Sequence, residues 1–165
     1  MRDNDLIHDW IDFFSVVKKK KPIVLKEQST QKYEQIPFPE KNYSHRKGSP
    51  KGIVIHTTVT SGVKGTLDTL IYRGLSTNYE IDPSGVIHEY LDPSTYVAYA
   101  TGAGANEHTI AIDVTGMVTS NSEQKKSLLQ LINSLASRFG FPIKLAPDGQ
   151  RKDWSVWESE GQNYT

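Results

Sequence analysis

Apolar positions fall into distinct rhythms along the chain, and each rhythm predicts an element. Near the start, Leu6, Ile7, Trp10, Ile11, Phe14 and Val17 recur at helical spacing. Asp3 or Asp5 stands at the head of this stretch, and Lys18 to Lys21 and then Pro22 close it. Acidic starts, basic ends and a terminal proline suit a helix, so residues 1–25 are expected to form an amphipathic helical appendage. Residues 26–50 are polar and broken by Pro37, Pro39 and Pro50, which predicts an extended connector wrapping over the main domain.

The rhythm changes at residue 51. Gly52 to His56 is a continuous β-branched run, the pattern of a strand buried on both faces. Leu67, Leu70, Ile71 and Leu75 mark a short helix. Thr77 to Ile81 and Val86 to Leu91 flank Asp82-Pro83-Ser84-Gly85, whose proline and glycine suit a type I turn, so these residues predict a β-hairpin. Thr101-Gly102-Ala103-Gly104-Ala105 reads as a loop leading into a second buried-type strand, Thr109 to Val114. It lacks a P-loop lysine and is not expected to precede a helix, which argues against a phosphate loop. Ser120-Asn121-Ser122-Glu123 is a capping-box pattern. Behind it Leu128, Leu131, Ile132, Leu135 and Phe139 form one stripe, ended by Gly140 and Pro142. Strands alternating with helices predict an α/β domain over residues 51–165, with a central mixed β-sheet flanked by helices.

Composition narrows the chemistry. The 165 residues carry 19 basic and 19 acidic side chains, so no global field draws in nucleic acid. There is no cysteine, which excludes disulfides, a thiol nucleophile and thiolate metal sites. Any zinc here must be held by histidine, carboxylate or water. No apolar run approaches the ~20 residues of a membrane span. The acidic N-terminus lacks the positive start of a secretory signal. Synthesis in a cytoplasm is therefore expected, with release by some other agent if the protein acts outside.

The densest candidate chemistry is Ile53-Val54-Ile55-His56-Thr57-Thr58-Val59. A histidine at the end of a buried strand is presented by a rigid backbone, as a metal ligand or proton carrier needs. The other reading is a histidine hydrogen-bonded at a strand end.

The order of motifs carries a resemblance. The run Gly52 to Thr58 is followed by Ser76-Thr77-Asn78-Tyr79-Glu80-Ile81-Asp82, then Gly85-Val86-Ile87, then Val97-Ala98-Tyr99-Ala100-Thr101-Gly102, then Thr109-Ile110-Ala111-Ile112-Asp113-Val114. Together with Arg138-Phe139-Gly140-Phe141-Pro142, this order resembles the type 2 N-acetylmuramoyl-L-alanine amidases, which include phage lysins and peptidoglycan recognition proteins. The resemblance covers roughly residues 51–143. It implies a Zn2+-dependent hydrolase of peptidoglycan that cuts the amide between muramic acid and L-alanine. His56 is then the first zinc ligand and Asp113 the catalytic carboxylate, in place of a glutamate. Thr57, Asn78, Tyr79, Tyr99 and Thr101 are implied to line the substrate groove. Asn78 stands where the family commonly has histidine, Tyr99-Ala100 where many members have Trp-His, and Thr77 where some have tyrosine.

The family's second histidine and a third ligand, Asp or Cys, follow the long helix. Here no histidine follows His108. Truncation of a longer enzyme is the favoured explanation. His45, His88 and His108 are the in-chain substitutes. A domain that has lost the metal, and binds peptidoglycan or a partner without cutting, is the alternative function.

Overall fold

The computed structural model describes residues 30–116 and 122–143. The expected helix within residues 1–25, the capping residues Ser120 and Asn121, and the aromatic tail with Trp154, Trp157 and Tyr164 lie outside them. In chain order the elements are strand β1 (Thr30–Lys32), a 3-10 turn (Glu40–Asn42), strands β2 (Tyr43–His45) and β3 (Gly52–Thr58), helix α1 (Val63–Tyr72), strands β4 (Tyr79–Ile81), β5 (Ile87–Glu89) and β6 (Tyr96–Ala98), the one-turn helix α2 (Ala103–Asn106), strand β7 (Thr109–Thr115) and helix α3 (Ser122–Phe139).

Five strands form one sheet in the order β1-β5-β4-β7-β3, and β2 pairs with β6 in a separate ribbon. The sheet is mixed. β3 and β4 both run parallel to β7, β1 runs parallel to β5, and the β4–β5 hairpin is antiparallel. The expected α/β class and mixed sheet are therefore observed. The hairpin turn closes with Gly85 N–H donating to Asp82 O at 2.9 Å. Gly85 has φ +85°, and a Cβ there would sit 3.0 Å from the Glu123 backbone. The glycine both makes the turn and lets it seat against the start of α3.

Side chains alternate across each strand, so the sheet has two different faces. Ile53, Ile81, Ile87, Ile110, Ile112 and Val114 point one way and pack against Leu128, Leu131, Ile132 and Leu135 of α3. This is the stripe legible in the sequence, and each such burial contributes about 1.5–3 kcal/mol. Gly140, at φ +74°, ends α3 where expected and donates to Ala136 O. The other face is covered by α1, through Val63, Leu67, Leu70 and Ile71, and by Phe38, Tyr90 and Ala98.

Two expectations change. The connector residues are not merely a wrapping: Thr30–Lys32 extend the sheet and Tyr43–His45 pair with β6. The glycine-containing segment after Thr101 is not all loop, because Ala103–Asn106 form a helical turn. Its cause is local. The Asn106 carboxamide oxygen accepts from Ala100 N, Thr101 N and Thr101 Oγ1 at 3.2, 2.8 and 2.9 Å, drawing the chain back on itself.

Candidate functional site

On the face away from α3, one row of side chains crosses the sheet. His56 on β3 is the register partner of Asp113 on β7. Asp113 is in turn the partner of Glu80 on β4, and Glu80 of His88 on β5. Register partners point to the same face, so the row reads His56, Asp113, Glu80, His88. It lies toward the carboxyl ends of the parallel strands β3 and β7, where ligands bind in open α/β sheets.

The members of the row differ in how they are satisfied. His56 is half-buried. Asp113 is 3% exposed, and its Oδ2 has no hydrogen-bond partner among the described residues. Burial pushes the Asp113 carboxyl up to about 7; a Thr77 hydrogen bond opposes this and the Glu80 charge adds to it. Glu80 is fully buried, and both its oxygens are occupied, Oε2 by Tyr90 Oη at 2.7 Å and Oε1 by Thr115 Oγ1 at 2.5 Å. Thr115 continues into a threonine cluster in which Thr60 and Thr66 share a 2.6 Å contact and Thr58 lies 3.1 Å from Thr60. This cluster ties the end of β3 to the first turn of α1.

The other histidines do not join His56. His88 is buried two strands beyond Asp113, with Nδ1 3.1 Å from Tyr33 Oη and Nε2 3.0 Å from Asp82 Oδ2. His108 precedes β7, at the far end from Asp113, and His45 is exposed with its ring 5.1 Å from that of Tyr96. Among the described residues no three His, Asp or Glu side chains come close enough to share a metal ion. The donors among the described residues do not by themselves make a complete zinc centre, which needs three protein ligands and a water.

The remaining candidate residues occupy different places. Thr57 is exposed and alternates away from His56. Asn78 is fully buried; its Nδ2 donates to Leu91 O at 3.1 Å and Tyr96 O at 3.4 Å, and its Oδ1 accepts from Ala111 N at 3.0 Å. Its carboxamide thus staples β7 to the chain around β5 and β6. Tyr79 is buried in the α3-facing core, where burial raises its phenol strongly. Tyr99 and Thr101 line a cavity of about 670 Å3 together with Ser44, Arg73, Asn106 and Glu107. That cavity does not contain His56 or Asp113 in its walls.

Sequence reasoning passed over Glu80 and Asn106. Glu80 alternates with Tyr79 and Ile81 and so reads as a solvent-facing residue. The signal was its place in the middle of a strand flanked on both sides, where a charge has no route to water.

The N-acetylmuramoyl-L-alanine amidase family matches residues 46–156. The chain belongs to this family. No curated protein matches it. Among solved structures, the hydrolase AmiA of Staphylococcus aureus, in complex with its ligand, superposes with TM-score 0.57 at 18% identity, covering 94% of this chain and 77% of that one. The Ph2119 endolysin of a Thermus scotoductus bacteriophage gives 0.54 at 16%, covering 76% and 93%. Drosophila peptidoglycan recognition protein SA gives 0.52 at 15%, covering 69% and 75%. At these identities the superpositions establish the amidase fold. They span cutting and recognising proteins alike, so the site itself must decide between the two.

Proposed function

We propose that this amidase-family domain acts on bacterial peptidoglycan as a hydrolase of the lysin kind, cleaving the amide between muramic acid and L-alanine. The observation that carries the reading is the His56–Asp113 pair. An imidazole and a buried carboxyl with one unsatisfied oxygen stand side by side at the end of a rigid sheet. A carboxyl held near neutrality is suited to take and return a proton. In this role Asp113 accepts the proton of the attacking water and passes it to the leaving amine of L-alanine. His56 orients the reacting group at the mouth of the groove.

The family resemblance also implies zinc, with His56 as one ligand. The described residues supply that single imidazole and no closed three-donor set, so no catalytic step is assigned to the metal. Asp148, Asp153, Glu158 and Glu160 are the carboxylates of the chain after α3. Delivery to the wall at lysis, or as part of a virion, is the setting that suits the likeness to endolysins.

The test is zinc content together with wall binding. Purified protein is expected to carry about one zinc per chain, reduced to background in His56→Ala, with sedimentation on insoluble peptidoglycan retained by both. The second reading, a recognition domain that binds without cutting, is favoured by the incomplete donor set. Binding without zinc and without cleavage would select it. Absence of binding by the unaltered protein contradicts both.

A further inference from the structure

The proposed reaction gives no task to Glu80, although it stands beside Asp113 in the β4–β7 ladder and is fully buried. Its two oxygens serve different parts of the fold. Oε2 accepts from Tyr90 Oη at 2.7 Å, just beyond β5, and Oε1 accepts from Thr115 Oγ1 at 2.5 Å, at the end of β7.

On the first side, Tyr90 is held by three rings. Tyr33 lies 4.9 Å from it, Phe38 meets it edge-on at 5.7 Å, and His88 stacks on it at 6.2 Å. Tyr33 and Phe38 both come from the segment between β1 and the 3-10 turn. A close-packed ring has few rotamers open to it, so its hydroxyl is aimed in one direction.

On the second side, Thr58 and Thr115 are the register pair two residues beyond His56 and Asp113. Two residues make one side-chain period of a strand, so the threonines share the face of the histidine and the aspartate. Thr115 Oγ1 lies 3.5 Å from Thr66 Oγ1, which is itself 3.4 Å from Thr58 Oγ1. Gly116 N donates to Thr58 O at 2.7 Å and closes the ladder at this end. Gln124 Nε2 of α3 donates to the Thr115 carbonyl at 2.7 Å, so both the side chain and the backbone of Thr115 are tied.

We propose that Glu80 is a positioning residue for the His56–Asp113 pair, its carboxylate linking the Tyr90 ring cluster to the threonines at the ends of β3 and β7. The role rests on the proposed hydrolase reading, in which those two strand ends present the reacting groups. Hydrogen bonds to a carboxylate are roughly twice as strong as neutral ones, so one side chain fixes both hydroxyls. Precision matters here, because a misplacement of about 1 Å can cost on the order of 10²-fold in rate.

The experiment joins hydrogen exchange, followed by NMR, to cleavage kinetics on peptidoglycan. Tyr90→Phe keeps the ring and removes the hydroxyl that meets Glu80. Thr115→Val removes the hydroxyl at the other oxygen, and Thr115→Ser retains it. The Gly116 amide reports the strand end, and the Ala111 amide, bonded to Asn78 Oδ1, reports the middle of β7. Tyr90→Phe and Thr115→Val are each expected to speed exchange at Gly116 roughly tenfold, with Ala111 within about twofold of the parent. The double variant is expected to match the singles, because both cut the same chain of contacts. In both, kcat is expected to fall roughly tenfold with KM changed less than about twofold, and Thr115→Ser to behave as the parent. Gly116 unmoved by Tyr90→Phe, Ala111 rising in step with it, or additive effects in the double variant overturn the role. So does a loosened Gly116 with kcat unchanged. If the unaltered protein cuts and the variants cut equally well, only the role of Glu80 falls. If the unaltered protein cuts nothing, the hydrolase reading falls and takes the role with it.

Discussion

Asp113 and Glu80 are buried carboxyls side by side in the β7–β4 ladder, and they are satisfied unequally. Glu80 accepts two hydroxyl hydrogen bonds, whereas one oxygen of Asp113 has no partner among the described residues. The under-satisfied carboxyl is the one beside His56. An unpaired buried polar atom costs about 1–3 kcal/mol, so the Asp113 carboxyl is a point of unspent hydrogen-bonding capacity beside the imidazole.

Asp113 therefore gives a pH signature. Its folded pKa, about 7, lies above the ~3.9 of an unfolded aspartate. Between those values the native state binds more protons than the unfolded state, so stability falls as pH rises through the window. Asp113→Asn removes the titration. Urea unfolding is expected to show the parent losing stability, by an amount on the order of a few kcal/mol, from pH 4 to 7 relative to the variant. Parallel profiles would contradict the assignment.

Asp82 works in the opposite sense. Burial raises it, but hydrogen bonds from Ser84, His88 and Val86 outweigh burial and leave it lowered. Its stabilisation is present above the unfolded pKa and is lost as pH falls through the lower folded value. Asp82→Ala is expected to cost about 1–3 kcal/mol at pH 7 by loosening the hairpin turn. Thermal melts should show a smaller penalty at pH 3, and an equal one would argue against this role.

Asn78 is predicted to be structural. Asn78→Ala leaves the Ala111 N–H and the Leu91 carbonyl without their side-chain partner. Chemical denaturation is expected to show a loss of roughly 2–6 kcal/mol, at about 1–3 kcal/mol for each of the two abandoned buried groups. A loss of peptidoglycan binding with stability unchanged would place Asn78 in the groove instead.

Most of the sheet was legible because periodicity reports burial directly. The Gly52–Thr58 and Thr109–Thr115 strands, the Asp82–Gly85 turn and the α3 stripe follow from apolar spacing and turn chemistry. Strands β2 and β6 were not legible: each has three residues, and their pairing depends on contacts between distant segments. The His56–Asp113 juxtaposition is likewise a matter of register, which no local pattern specifies. Asn78 and Tyr79 show the limit of position-by-position inference, since residues that the resemblance implied for a groove are buried in the core here. Glu80 was hidden because alternation marks it as outward, while α1, Phe38 and Tyr90 cover that face.

The most direct test is digestion of purified peptidoglycan, followed by labelling of newly freed amino groups and mass spectrometry of the released peptides. The account predicts peptides that begin with L-alanine, formed by the unaltered protein and absent with His56→Ala and with Asp113→Asn. Intact lactyl-alanine amides after prolonged incubation with the unaltered protein, or undiminished release by His56→Ala, would contradict it.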